Sequence, residues 1–354
     1  MIKKGTGLKI LVLTIVLIFV GASSGLAEKI TLKLNWVPGG DHCFYFVAKD
    51  KGLYEQQGLD VNIERGQGSG DTVKRVDLGT VDIGLADTGT LVVARSKGAK
   101  VKDIAMIYAN SPNGIKTRID TGIKGPKDLE GRMVGVPAGD AQRVLWPALA
   151  KANGVNMDKV RLINIKPGAK AQSLAAKKVD AVFDWVVGEA QYWAAGLDKD
   201  KLVLIPWSKF GVNPYGNALM ASEKTIAERP EMLRRFLKAT MEAWQWSIEN
   251  TDEAMAIFVK YNPEVPPLAA KIRFVNDIRK LVDVDLNREY KLGWIDVKRM
   301  KATVANINKY FPVEKPVTFE DMYTMEFLPD YKMPSIDHLP TGEALYEQWM
   351  AQKK

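Results

Sequence analysis

The hydrophobic pattern of this chain repeats one unit four times: a short apolar run ending near an aspartate, a stretch with helical spacing, and a closing glycine. In the first, Thr31 to Leu34 alternate as a strand does, and Pro38, Gly39 and Gly40 form a turn-rich loop. Asp41 then stands at an N-cap position, and Phe44, Val47 and Ala48 recur at helical spacing before Gly52. The other three units run from Asp82 to Gly98, Arg132 to Gly154 and Asp180 to Gly196. Laid side by side, such units build parallel sheets whose strand ends and helix starts face one crevice. Function is expected in that crevice.

From Ile30 to about Tyr108 strands alternate with helices, which predicts a parallel α/β sheet with right-handed crossovers. Asn110 to Gly125 is polar, with Gly and Pro at turn positions, and reads as a crossing into a second α/β series, Met133 to about Ile205. The run Val212 to Gly216 reads as a second crossing, and two crossings make a hinge. Residues 28–110 are therefore expected to begin a first lobe, 111–216 to form a second, and 217–354 to complete the first and carry C-terminal helices. Pro147, inside a predicted helix, implies a kink or a later helix start. Pro230 to Ile248 predicts a helix with Leu233, Phe236, Leu237, Met241, Trp244 and Ile248 on one face. Further helices are expected through Ile257, Ile272, Ile278 and Met300 to Ile307. Phe311 to Pro340 reads as irregular chain packed back on the first lobe, with Met322, Met325 and Phe327 as core filler.

Length and charge sharpen this picture. A chain of 354 residues suits two cores better than one. Of the formal charge of +8, three units belong to Lys3, Lys4 and Lys9. The remaining +5 is scattered among acids, which gives a nucleic-acid role little support. After those lysines come the apolar residues Ile10 to Val20, then Gly25-Leu26-Ala27 with small residues at both cleavage-site positions. Residues 1–27 are thus expected to be a signal peptide cut before Glu28. Its run of 11 residues, apolar except for Thr14, falls short of the roughly 20 that span a bilayer. No cysteine stands at the cut to accept a lipid, so a soluble periplasmic product is expected. Cys43 is the only cysteine, which leaves the fold to packing alone.

Catalytic tools are scarce. His42 and His338 are the only histidines, and neither an HExxH nor a paired-cysteine spacing occurs, so no metal is expected. GxSxG occurs only as Gly21-Ala22-Ser23-Ser24-Gly25 inside the predicted leader, and a dinucleotide fingerprint and a P-loop are missing. The glycine-rich GQGSGDT lacks the Lys-Ser/Thr of a phosphate cradle. Binding without catalytic residues or a cofactor is the expectation. Asp41, Asp87 and Asp140 read either as helix caps, worth about 1 kcal/mol each, or as crevice walls. Asp184, before Trp185, has a weaker capping argument and reads equally as a ligand contact. Two like charges 4 Å apart cost about 4 kcal/mol at an effective dielectric of 20, so inward aspartates would oppose a bare anion and welcome N–H donors. If they face outward, Arg143 becomes an anion contact. The rings of Trp36, His42, Trp185 and Tyr215 suit a flat heterocycle, unless Trp36 and Trp185 simply fill the lobe cores.

With Asn35, Trp36, Pro38, His42, Ala48, Lys51, Gly52, Gly58, Leu59 and Asp60, the stretch Leu34 to Asp60 resembles the exported solute-binding proteins of bacterial ABC transporters. The branch is similar to thiamine-pyrimidine-precursor binders and related to nitrate, sulfonate and taurine binders. The likeness continues through VDIGLAD, GRMVGVPAGDAQ and YGNALMASEKTIAERPE, covers most of the chain, and is specific for the family but not for the ligand. It implies a two-lobed type II periplasmic binding fold, each lobe a mostly parallel sheet flanked by helices. A cleft would close on a small heteroaromatic solute, and a monomer would dock on an inner-membrane permease with its separate ATPase. Sulfonates, nitrate, taurine or an aromatic acid are the alternative solutes. Positions matching the family's pocket are Trp36, His42, Asp87, Thr88, Gly139, Asp140, Asp184, Trp185, Tyr215 and Asn217. Relatives that look like thiamine pyrimidine synthases use iron, pyridoxal phosphate and a histidine. This chain departs from them in its leader and in having no cysteine-rich segment.

Overall fold

A computed structural model describes residues 27–311 and 315–353; the predicted leader lies outside them apart from Ala27. Ten strands form two sheets of five. The first sheet is built from β1 (Glu28–Lys33), β2 (Leu59–Glu64), β3 (Ile83–Asp87), β4 (Val101–Met106) and β10 (Asn217–Ser222), in the order β2-β1-β3-β10-β4. The second takes β5 (Asn113–Arg118), β6 (Met133–Gly135), β7 (Arg161–Ile163), β8 (Ala181–Trp185) and β9 (Leu202–Pro206), in the order β7-β6-β8-β5-β9. In each sheet four strands run together and one, β10 or β5, runs against them. The reversed strand is the one the chain lays down on arriving from the other sheet. A short connection can join only antiparallel neighbours or strands of different sheets.

The two crossing segments touch each other. Gly216 N–H donates to the Tyr108 carbonyl at 3.0 Å, and the Ile107 and Tyr108 amides both donate to the Asn217 carbonyl at 2.9 Å. A Cβ on Gly216 would lie 2.7 Å from the Tyr108 oxygen and 2.8 Å from that of Asn110, so only glycine permits this approach.

Three sequence expectations need correction or refinement. Asn113–Arg118, read as part of a crossing loop, is an inner strand. Its polar residues find buried partners: Lys116 Nζ donates to the Val187 carbonyl at 2.8 Å, and Thr117 Oγ1 to the Asp180 carbonyl at 2.7 Å. Pro147 does not delay its helix, which runs from Ala141 to Ala152 straight after its cap. An interior proline costs about 3 kcal/mol, and burial of Leu145, Trp146, Ala148 and Leu149 offsets it. Asp41 is not an N-cap, because a 3-10 turn, Gly40–His42, precedes the helix Cys43–Asp50.

The helix Pro230–Glu249 buries Leu233, Phe236, Leu237, Met241, Trp244 and Ile248 against the first sheet's core, where Phe44 stacks on Trp244 at 5.3 Å. A second cluster joins Val92, Leu145, Phe183, Trp207 and Ile307, so apolar contact continues from one lobe to the other. Residues 315–340 hold no helix or named strand. They cover the edge of β4, where Asp103 N–H donates to the Met322 carbonyl and Thr324 N–H to that of Asp103, at 2.8 and 2.9 Å.

Candidate functional site

A cavity of about 400 Å³ lies between the two sheets, walled by Asn35–His42, Gly68 and Ser69 on one side and by Asp140, Lys170, Asp184, Trp185 and Gln191 on the other. The helix Pro267–Lys280 contributes Arg273, and the C-terminal helix Gly342–Gln352 contributes Trp349. The loop after β1 presses on Pro267–Lys280 so closely that a Cβ on Gly40 would sit 1.9 Å from the Ala270 oxygen.

On the first-lobe side, Gly39 N–H donates to His42 Nδ1 at 3.1 Å. The ring proton therefore sits on Nε2, which donates to Asn35 Oδ1 at 2.9 Å. Burial lowers the His42 pKa, so the imidazole is neutral with both nitrogens engaged. Asp41 is held by Arg273 Nη2 at 3.4 Å; Arg273 Nε also donates to Asp277 at 2.9 Å, and its guanidinium lies 4.6 Å above the Trp185 ring.

The second-lobe side centres on a buried lysine. Lys170 Nζ lies 2.7 Å from Asp140, 3.3 Å from Asp184, and 4.8 Å above the Trp36 ring of the first lobe. Burial works against its charge, but the two carboxylates prevail and raise its pKa. Asp184 also accepts from the Tyr192 hydroxyl and from Gln191 Nε2 at 3.3 Å, and faces Lys116 at 3.8 Å. Burial alone would raise the Asp184 pKa, yet Lys170, Lys116 and the tyrosine together bring it down to about 2. Asp140 caps Ala141–Ala152 by accepting from Gln142 N–H at 3.0 Å. With one lysine against its burial, its pKa is raised. Burial lowers that of Lys116, which Asp184 offsets only in part.

Each cation in the described wall has a carboxylate partner, so no positive charge is left over for an anion. Contacts between the lobes are already made. Besides Lys170 on Trp36 and Arg273 on Trp185, Gly70 N–H donates to the Gly139 carbonyl at 3.1 Å and Lys280 pairs with Glu189 at 2.9 Å.

Of the ten predicted positions, Trp36, His42, Asp140, Asp184 and Trp185 line the cavity; Asp87, Thr88, Gly139, Tyr215 and Asn217 do not. Asp87 caps its helix through Thr90 N–H at 2.7 Å, and its own amide donates to Ser69 Oγ at 3.0 Å, so Ser69 occupies the wall in front of it. Thr88 donates to Asp103 at 2.9 Å. Asn217 is buried in β10 opposite Asp87. Tyr215 sits in the second core, its oxygen accepting from Asp296 N–H at 2.9 Å. Gly139 is an inter-lobe contact and lines a smaller cleft with Gln67. Arg143 donates to the Val136 carbonyl at 3.0 Å and stays out of the wall. Sequence reasoning missed Lys170, Gln191, Arg273 and Trp349. Arg273 and Asp277 are visible as an i,i+4 pair on a predicted helix, but their partners Asp41 and Trp185 are remote in the chain.

The sequence model of the NMT1/THI5-like family matches residues 40–254. The chain belongs to that family. Three relatives are similar at low identity. The formylaminopyrimidine-binding protein of Halalkalibacterium halodurans is 23% identical over 84% of this chain and 90% of its own length. The riboflavin-binding protein RibY of Chloroflexus aurantiacus is 23% identical over 85% and 86%. The 4-amino-5-hydroxymethyl-2-methylpyrimidine phosphate synthase of Legionella pneumophila is 24% identical over 87% and 95%. Among solved structures, the periplasmic aliphatic sulphonate binding protein SsuA of Escherichia coli superposes with a TM-score of 0.63 at 14% identity, over 90% of this chain and 99% of its own. This NMT1/THI5-like chain thus has the periplasmic binding protein fold, two mixed sheets flanked by helices. Among its described residues no helix is long and apolar enough to cross a membrane, and no cluster of His, Cys, Asp and Glu is placed to hold a metal.

Proposed function

We propose that this chain is the exported, monomeric solute-binding component of an ABC importer, and that its solute is a neutral heteroaromatic of the aminopyrimidine class, delivered to a permease with a separate ATPase. The charge balance of the wall carries the ligand assignment. A sulfonate or nitrate would add a negative charge beside Asp140 and Asp184 with every cation already matched, at a cost of about 4 kcal/mol for a like charge at 4 Å. A neutral ring bearing N–H donors meets no such cost. Asp184 accepts from Lys170, Gln191 and Tyr192 and pairs with Lys116, which leaves Asp140 as the acceptor with capacity to spare. Trp36 and Trp185 supply flat apolar surface, and about 400 Å³ lies near the low end of small-molecule sites, suiting one substituted ring better than a tricycle.

The family also contains an enzyme name, and the residues argue against catalysis here. Lys170 is locked as a cation between two carboxylates, Lys116 lies behind the wall, and both His42 nitrogens are occupied. None is a free nucleophile or base. Lysine-bound pyridoxal absorbance in the purified protein would reverse this reading.

Glu28, the first residue after the predicted cut, opens β1, and Arg229 and Arg235 hold its carboxylate. N-terminal sequencing of the periplasmic protein checks the cut. For the ligand, calorimetry against 4-amino-5-hydroxymethyl-2-methylpyrimidine, riboflavin, taurine and nitrate is decisive. Micromolar binding of the pyrimidine, roughly −8 kcal/mol, is expected; binding of the anions alone would sink the assignment.

A further inference from the structure

The C-terminal helix Gly342–Gln352 belongs to neither sheet, yet it reaches the cavity through Trp349. Its seat is on the first lobe. Leu345 is fully buried in that lobe's core, and the approach to the helix is pinned by His338 Nε2 against the Ile248 carbonyl at 2.9 Å. Arg279 adds a hydrogen bond from Nε to the Pro340 carbonyl at 3.0 Å.

From this seat the helix grips the second lobe. The Tyr346 ring meets Trp193 edge-on, with centroids 4.7 Å apart at 68°. Lys353 Nζ donates to the Trp193 carbonyl at 2.8 Å and lies 3.4 Å from Asp198, while Glu343 pairs with Lys199. Trp193 sits in the short helix Ala190–Ala194, whose Gln191 and Ala194 also wall the cavity. One small element of the second lobe is thus held between the hollow and the C-terminal helix.

We propose that the C-terminal helix is a latch: it links the lobes a third time without a covalent crossing, and sets how long the closed cavity retains its solute. The contacts are of a kind that can release. The ion pairs are largely exposed and individually weak, and the aromatic grip is confined to Trp193, which Tyr346 and Trp349 both meet. Retention rests on the binding reading above; lobe closure does not, and can be followed without any solute.

The test uses the full chain with fluorophores at Asp60→Cys on the first lobe and Asp158→Cys on the second; Cys43 is buried and stays unlabelled. The double variant Tyr346→Ala/Lys353→Ala loosens the grip at residues that do not line the cavity, and Leu345 keeps the helix seated. The ligand-free protein should shift toward longer label separations. Release of 4-amino-5-hydroxymethyl-2-methylpyrimidine should speed up about tenfold, with association nearly unchanged, and Tyr346→Phe/Lys353→Arg should restore both. Label separations identical to the parent's, in a variant whose circular dichroism shows its helices intact, overturn the latch. If the pyrimidine does not bind the parent, the ligand assignment fails while the separation measurement still decides the latch.

Discussion

Gly70 and Gly139 are joined backbone to backbone across the two lobes, amide to carbonyl at 3.1 Å. Two residues earlier Gly68, at φ +131°, brings its Cα so near that a Cβ would lie 2.0 Å from the Gly139 oxygen. This is a seam that closes only if Gly68 carries no side chain. Gly139 makes the inter-lobe contact, while its neighbour Asp140 lines the cavity.

Gly68→Ala should wedge the seam open. The φ value adds strain of about 1–3 kcal/mol, so both lobe closure and solute affinity should fall, the latter about tenfold or more. Small-angle scattering with and without solute reads the opening; a parent-like closed envelope would contradict the seam.

Trp36→Ala removes the ring beneath Lys170 and one flat wall of the cavity. Affinity should drop by roughly 1–3 kcal/mol, while the melting temperature changes little because Trp36 belongs to neither lobe core. Calorimetry beside thermal unfolding separates the two effects.

Lys116→Met should be costly although the residue touches no ligand. It leaves Asp184 with one cation fewer in a buried site, a loss on the order of 3–5 kcal/mol. Adding Asp184→Asn should recover part of it in urea unfolding, and a double variant as unstable as the single one would mean that Lys116 acts through packing alone.

Two aspartates predict opposite pH trends. Asp184 is depressed to about 2, so its stabilisation is complete above the ordinary carboxylate range and is lost as pH falls from about 4 to 2, on the order of 2 kcal/mol. Burial raises Asp87 to about 7, so its contribution is present below pH 4 and is lost as pH rises through 7, by up to about 4 kcal/mol. Asp87→Asn, which still caps the helix, should flatten the decline between pH 5 and 8 in denaturant titrations. A decline that persists unchanged in this variant would assign it to another group.

Local chemistry made much of the fold legible. The strand-to-helix units, the caps at Asp87 and Asp140, and the apolar face of Pro230–Glu249 depend on spacings within one element, which the order of residues displays directly. The strand Asn113–Arg118 was opaque for the opposite reason. Its composition is that of a loop, and it is a strand because Val187, Asp184 and Asp180, all some 60 to 70 residues away, satisfy its buried polar groups.

The chain's own order of residues determined the secondary elements, the division into two α/β series and the family likeness, since each is written in short-range periodicity and turn chemistry. Tertiary structure alone decided which aspartates face the hollow. Asp87 and Asp140 both cap helices, but Ser69 stands in front of the first, while the second opens onto Lys170. It also decided the sign of the wall, because whether a carboxylate repels an anion or merely neutralises a lysine depends on partners brought together from remote parts of the chain.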